Sequence, residues 1–320
     1  MLKVLFVASG NHGGIGNIVK SQGESLNNTG TAVDYFAIQG KGIKGYLSNI
    51  FRLRSYVLET KPDIIHAHYS LCGIIAALAF PDRPLVVSLM GSDTKTGFFS
   101  KSGIRWFTKS RWERIIVKSP SMQAGISGEK SIVTPNGVDL HRFKPLPEIN
   151  LKKKFRFSDN KKTILFLANP TRESKNFSLA EHAFSLIHSV KTELKVCYGV
   201  PMEDIPNILN AADVVLLTSR WEGSPNVIKE SMACNCPIVA TNVGDIAWLF
   251  GNAPGHFLTS FSPADVADKI HEALKFSEDV GSTTGRERLL ELGLDSETIA
   301  KRINGIYEEV LLSKQTKEYK

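Results

Sequence analysis

Two glutamates frame the segment of this chain that is richest in chemistry. Thr218-Ser-Arg-Trp-Glu222-Gly-Ser-Pro-Asn-Val-Ile-Lys-Glu230-Ser-Met-Ala233 follows a short apolar, β-branched run and reads as a loop opening into a helix. Ser224 is a good N-cap and Pro225 a good first helical residue. The amides of Asn226 and Val227 would then open outward at the positive end of the helix dipole, a ready place for a diphosphate. Glu222 falls in the loop before that helix and Glu230 about two turns along it. Ionised carboxylates only accept hydrogen bonds, so the pair suits hydroxyls on either side of such a diphosphate. The alternative is a capped helix with two solvated glutamates.

Other segments carry weaker signals. Gly13-Gly14 follows the first apolar run, and its small residues would let backbone approach a phosphate, although Gly-x-Gly-x-x-Gly is absent. A turn or close packing is the competing reading. His66-Ala-His68 sets two imidazoles on one strand face. A metal site is conceivable there, but no Cys or carboxylate constellation supports it, and a buried, hydrogen-bonded strand end is preferred. Tyr198-Gly-Val-Pro201 ends another strand as a turn. Cys72, Cys197, Cys234 and Cys236 fit no Cys-x-x-Cys pattern and read as reduced, buried packing residues.

Apolar runs alternating with helical patterns must position these groups. Val4–Ala8, Val33–Ile38, Ile64–His68, Leu85–Leu89, Ile115–Val117 and Ile132–Thr134 read as strands, with helices such as Ile18–Asn27 and Leu47–Glu59 between them. The pattern restarts with strands Thr163–Ala168, Leu194–Tyr198, Val214–Thr218 and Pro237–Ala240, and helices from about Ser178, Pro206 and Pro225. Two successive α/β domains with doubly wound parallel sheets follow from this alternation. The prolines of Lys144-Pro-Leu-Pro-Glu-Ile-Asn150 and the run Lys152-Lys-Lys154 mark a linker. The domains are therefore set at 1–148 and 149–295, with a helix in 296–320 returning to the first domain and ending in a polar tail.

The 320 residues, 42% hydrophobic and 22% charged, exclude disorder as the main state. The longest apolar stretch, Leu71–Phe80, is about half of what a membrane-spanning helix needs. The N-terminal apolar run is too short for a signal-peptide core and reads as a strand. Residues 1–150 hold 18 Lys and Arg against 10 Asp and Glu, whereas 151–320 hold 21 against 22. The basic excess thus lies in the first half and favours anionic partners. Lys95, Lys101, Arg105, Lys109, Arg111, Arg114 and Lys118 are interleaved with Phe98, Phe99, Trp106, Phe107 and Trp112. Basic plus aromatic residues suit an anionic membrane surface. The competing readings are a solvated basic face over an aromatic core and nucleic-acid binding; no nucleic-acid partner is expected.

Glu222 and Glu230 have the Glu-x7-Glu spacing of retaining glycosyltransferases of the GT-B fold, and Glu222–Asp245 resembles glycosyltransferase family four almost throughout. Gly13–Leu26 is similar to that family's glycine loop and first helix, and Pro135-Asn-Gly-Val-Asp139, with Phe143 and Pro145, to its pre-linker turn. The resemblance implies a GT-B architecture of two Rossmann-like domains facing across a cleft, the second holding a nucleotide-sugar. It implies that Glu230 binds the ribose and Glu222 sits by the donor sugar. Gly223, Ser224, Pro225, Asn226 and Val227 would approach sugar and phosphate, Gly14 the diphosphate, and Gly199 and Val200 the base. The family's diphosphate-binding Gly-Arg falls at Asn169 and Pro170, its Lys at Lys175, and Arg172 is expected to supply the missing cation. Glu222, Lys175 and Arg172 are the expected catalytic group. Met90 stands where the family often has an acceptor-side His, with His12, Ser92 and Asp93 expected in the same region.

The implied reaction is metal-independent, retaining hexosyl transfer from a nucleoside diphosphate sugar to a hydroxyl of a glycan or lipid-linked glycan, in surface polysaccharide biosynthesis. No cofactor is expected. The implied location is cytoplasmic, peripheral at the inner membrane face. The alternatives are a non-catalytic nucleotide-sugar-binding subunit, which Pro170 and Met90 would suit, and a sugar-nucleotide epimerase.

Overall fold

The computed structural model describes residues 1–11, 13–80, 82–91, 107, 110–124, 126, 130–147, 151–188 and 191–318. Its contacts divide the chain into two compact units, Met1–Gly137 with Ser296–Lys320, and Val138–Asp295.

The first unit is built on six strands: β1 (Leu2–Ser9), β2 (Thr31–Ile38), β3 (Ile64–His68), β4 (Leu85–Ser88), β5 (Arg114–Val117) and β6 (Ser131–Val133). They pair in parallel in the order β2-β1-β3-β4-β5-β6, so the winding reverses between β1 and β3. One face of the sheet buries Leu5, Val7, Ile65, Ala67, Val87 and Val117 against Leu53, Val57 and helix Ser70–Ala79. Helix Ser296–Glu318 belongs to this unit. Asn304 ties it to Thr29 and Thr31, Tyr307 reaches His66 at 2.6 Å, and Lys314 donates to the carbonyl of Asp82. The Leu47–Glu59 pattern is two helices, Gly42–Leu47 and Ile50–Thr60. Asn49 separates them: its buried amide donates to the carbonyls of Gln39 and Gly45.

The second unit holds β7 (Lys162–Phe166), β8 (Thr192–Val196), β9 (Val214–Leu217), β10 (Ile238–Thr241) and β11 (His256–Thr259). All pairs are parallel, in the order β11-β10-β9-β7-β8, and the winding reverses between β7 and β9. Strand β11 was not expected from sequence; it is a half-buried edge strand entered from Gly251–Gly255, with little of the apolar run that marked the others.

The linker signal falls inside this unit rather than between the two. Val138 donates to the carbonyl of Leu294 at 2.9 Å, and the Arg286 guanidinium reaches the carbonyls of Leu140 and Phe143, each at 2.8 Å. Asn210 accepts from Leu146 and donates to Lys144, so the proline segment is a strap stitched onto the second unit. The lysine run is equally engaged, Lys152 with Asp213 and Lys154 with Asp204.

Candidate active site

A doubly wound sheet receives ligands outside the carboxyl ends of its strands, where the winding reverses. In the second unit that point lies between the loops leaving β7 and β9. After β7, Asn169 closes a turn by accepting from the amide and hydroxyl of Thr171, and a short 3₁₀ turn, Glu173–Lys175, follows. Asn176, at φ 51°, then opens helix Phe177–Ser185. After β9, Thr218 donates to the carbonyls of Lys175 and Asn176, and the amide of Arg220 donates to Ser174. The two loops are thus tied through backbone before any functional side chain is considered.

The side chains complete the tie. Lys175 Nζ lies 2.5 Å from Glu222 Oε1, and Ser219 donates to the same oxygen at 2.7 Å. Both charged side chains are mostly withdrawn from solvent, at 14% and 16% exposure, so water screens this pair less than a surface pair. Helix Asn226–Ala233 starts directly behind this ion pair in the chain. Its N-cap is Pro225, not Ser224. The Ser224 hydroxyl is engaged elsewhere, accepting from Lys229 Nζ at 3.2 Å. Glu230 is half-buried, and burial pushes its carboxyl up to about 7, opposed by the positive charges of Lys229 and Arg142. Burial also pulls the Lys229 ammonium down to about 8, against the attraction of Asp245 and Glu230.

Residues 13–142 match the family model described as Glycosyltransferase Family 4, and residues 180–275 the model described as Glycosyl transferases group 1. Both matches are to glycosyltransferases, consistent with family four. TuaC of Bacillus subtilis (strain 168), a glycosyltransferase by name and named for teichuronic acid biosynthesis, is 28% identical over 62% of this chain and 60% of its own length. The chain therefore spans about three fifths of that relative. UDP-Gal:alpha-D-GlcNAc-diphosphoundecaprenol alpha-1,3-galactosyltransferase of Escherichia coli is 25% identical over 73% of this chain and 71% of the relative. The solved structure of Anabaena Alr3699/HepE in complex with UDP-glucose superposes with a TM-score of 0.77 at 18% identity, covering 97% of this chain and all of that one. The fold is GT-B.

Among the family-four positions, Lys175, Glu222, Gly223, Ser224, Pro225, Asn226, Val227 and Glu230 come from two adjoining loops and one helix of the second unit. Arg172 is exposed, and its backbone is used in the turn from Asn169 to Lys175. Asn169, expected to bind donor, has its carbonyl oxygen engaged by Thr171. Pro170 lies in the same turn. Gly199 takes φ +66° in the turn after β8, beside Val200, a conformation that favours glycine.

The first unit presents a different edge. Gly14 follows β1 at φ +114° and bridges to Asn11, and Met90 is half-buried just after β4. His12, Ser92 and Asp93 lie outside the described residues, as do Lys95, Lys101, Arg105, Lys109, Phe98, Phe99 and Trp106. The described remainder of the basic and aromatic stripe is mixed. Arg111 is exposed and Arg114 faces Glu309 at 3.8 Å, but Trp112 and Lys118 are buried and belong to the interior rather than to a face. No helix among the described residues is long and apolar enough to cross a membrane.

His66 is held by Tyr307 on Nδ1 and by Ser88, 2.9 Å away, on Nε2. His68 stacks on it, fully buried, and among the described residues neither of its ring nitrogens meets a hydrogen-bond partner, whereas His66 has the hydrogen bonds expected of both. Among the described residues no group of three or more His, Cys, Asp or Glu is placed to hold a metal. Cys72, Cys234 and Cys236 are buried thiols and Cys197 is half-buried.

Sequence reasoning missed Lys229, Asp245, Ser219 and Thr241. One signal was available: Lys229 falls on the buried side of its helix with Ile228 and Met232.

Proposed function

We propose that this chain transfers a hexosyl unit, with retention at the anomeric carbon and without a metal, from a uridine diphosphate sugar to a hydroxyl of a glycan or lipid-linked glycan in surface polysaccharide assembly. The observation that carries this reading is the Lys175–Glu222 ion pair at the winding reversal, with Glu230 one helix further on. A departing diphosphate needs positive charge, and Lys175 with the amino end of helix Asn226–Ala233 supplies it. With Arg172 turned to solvent, Lys175 is the cation of that loop placed against Glu222. Glu222, oriented by Ser219 and Lys175, faces the sugar, and Glu230 accepts from the ribose hydroxyls. Attack comes from the face the leaving group departs, and the leaving phosphate takes the acceptor's proton. The uridine donor draws support from the names of two similar proteins, one a UDP-Gal transferase and one solved with UDP-glucose. The lipid-linked acceptor and the surface polysaccharide draw on the names of the Escherichia coli and Bacillus subtilis relatives.

Calorimetric titration of UDP, GDP and ADP into wild type and Glu230→Ala tests the reading. UDP should bind wild type, and the variant should lose about 10- to 150-fold, the worth of a charge-assisted hydrogen bond. Binding of GDP or ADP instead replaces the donor base. Binding of none, or equal affinity in the variant, removes the donor site.

A further inference from the structure

The loop that carries Glu222 has no regular structure of its own, yet it is backed along its length by the loop leaving β10. Thr241 donates its hydroxyl to the carbonyl of Ser219 at 2.7 Å. Gly244, at φ +65°, lies so close that a β-carbon there would stand 2.7 Å from the carbonyl oxygen of Gly223 and 2.9 Å from that of Glu222. Behind Ser224 sit two charges withdrawn from water, Lys229 at 1% exposure and Asp245 at 6%. Lys229 donates to Ser224 and attracts Asp245. Burial raises the Asp245 carboxyl, and neither of its oxygens meets a hydrogen-bond partner among the described residues.

Such a pair is a poor device for stability. Desolvating two charges costs about what their attraction returns, and apolar residues of similar volume often replace a buried ion pair without loss. An apolar residue at position 229 would suit the buried flank that Ile228 and Met232 already form. What the pair adds is direction. A buried cation that donates to Ser224 Oγ, drawn by the carboxylate charge of Asp245, fixes both the rotamer and the backbone it hangs from.

We propose that Lys229 and Asp245 are positioning residues that hold Glu222–Ser224 in the geometry that receives the donor sugar. This rests on the reading of that loop as the donor site, and the test separates the two. The probes are UDP with UDP-glucose, GDP with GDP-mannose and ADP with ADP-glucose. The proteins are wild type, Glu230→Ala, Lys229→Met, Asp245→Asn, the double variant Lys229→Met/Asp245→Leu, and Ser224→Ala.

In the positioning variants, affinity for the free nucleotide should stay within about threefold of wild type. Affinity for the matching nucleotide-sugar, and kcat with it, should fall at least tenfold. The double variant leaves no lone buried charge. It should melt at or above the single variants and still lose the sugar, which a merely structural pair would not do. Should the single variants fail to fold, the double variant carries the same comparison. A double variant that regains wild-type sugar affinity and kcat overturns the proposal while leaving the donor site standing, provided Glu230→Ala still loses the nucleotide. Wild type that binds none of the probes overturns both.

Discussion

Both units wind their sheets the same way, with the reversal between the first and second-neighbour strands, and yet their strand ends are furnished in opposite fashion. In the second unit the loops after β7, β9 and β10 and the helix Asn226–Ala233 hold Lys175, Glu222, Asp245 and Lys229, charges paired or attracted to one another. In the first, the end of β3 holds two stacked imidazoles kept neutral by burial, His68 pulled down to about 3. The buried Lys118 ammonium, donating to the Thr134 carbonyl, pushes them the same way. Tyr69 follows at φ 76°, a strained conformation for a residue with a side chain. The same topology thus offers cross-tied charges at the strand ends of one unit and, at the end of β3, neutral imidazoles in the other.

The comparison breaks most visibly at Lys175. Lys175→Ala should lower kcat about 100- to 1,000-fold, the scale seen when one preorganised donor to a developing negative charge is removed. Steady-state kinetics with the donor would show it, and an unchanged kcat would mean that the charged edge is only structural. Glu230 gives the next effect. Its carboxyl is held near 7, above its ordinary value, so acidification through neutrality protonates it and removes an acceptor. Nucleotide affinity should fall about tenfold from pH 8 to pH 6, and Glu230→Gln should lack that slope in a calorimetric pH series.

On the other edge the sign reverses from binding to stability. His68 is neutral when folded down to about 3 but titrates near 6.5 when unfolded. Its contribution to stability is complete above pH 6.5 and is lost as the pH falls toward 3, at up to about 1.4 kcal/mol per pH unit. Denaturant titrations from pH 7 to pH 4 should show that slope, and His68→Phe should flatten it. The smallest effect is reserved for Arg172→Ala. An exposed side chain should change kcat less than about twofold, consistent with the small effects of surface substitutions. A larger loss would return Arg172 to the donor site.

Most of the strand framework was legible in the sequence because parallel strands buried on both faces read as short apolar runs. The Glu222 and Glu230 positions were legible because an apolar strand precedes them and Ser224-Pro225 marks a helix start, whereas Lys175 was reached only through the family resemblance. What escaped was tertiary. The proline segment 144–147 looks like a linker by composition, and only Asn210 and Arg286 make it a strap. The break at Asn49 depends on carbonyls of Gln39 and Gly45, and the extra strand β11 on pairing with β10. Arg172 was reached by counting residues from the family pattern; its exposure in the turn that follows Asn169 depends on how that loop folds. Lys229 and Asp245 are sixteen residues apart and declare themselves only when the β10 loop folds under the β9 loop.

The return of the last helix has a consequence for how the protein is made. The first unit is discontinuous in the chain: Thr31 waits for Asn304, and His66 for Tyr307. On the ribosome, the whole of the second unit emerges before the helix that finishes the first. A nascent chain arrested before residue 296 would therefore carry one unit able to close on itself. The other would have its β1–β3 layer uncovered, open to chaperones or to the corresponding helix of a neighbouring copy.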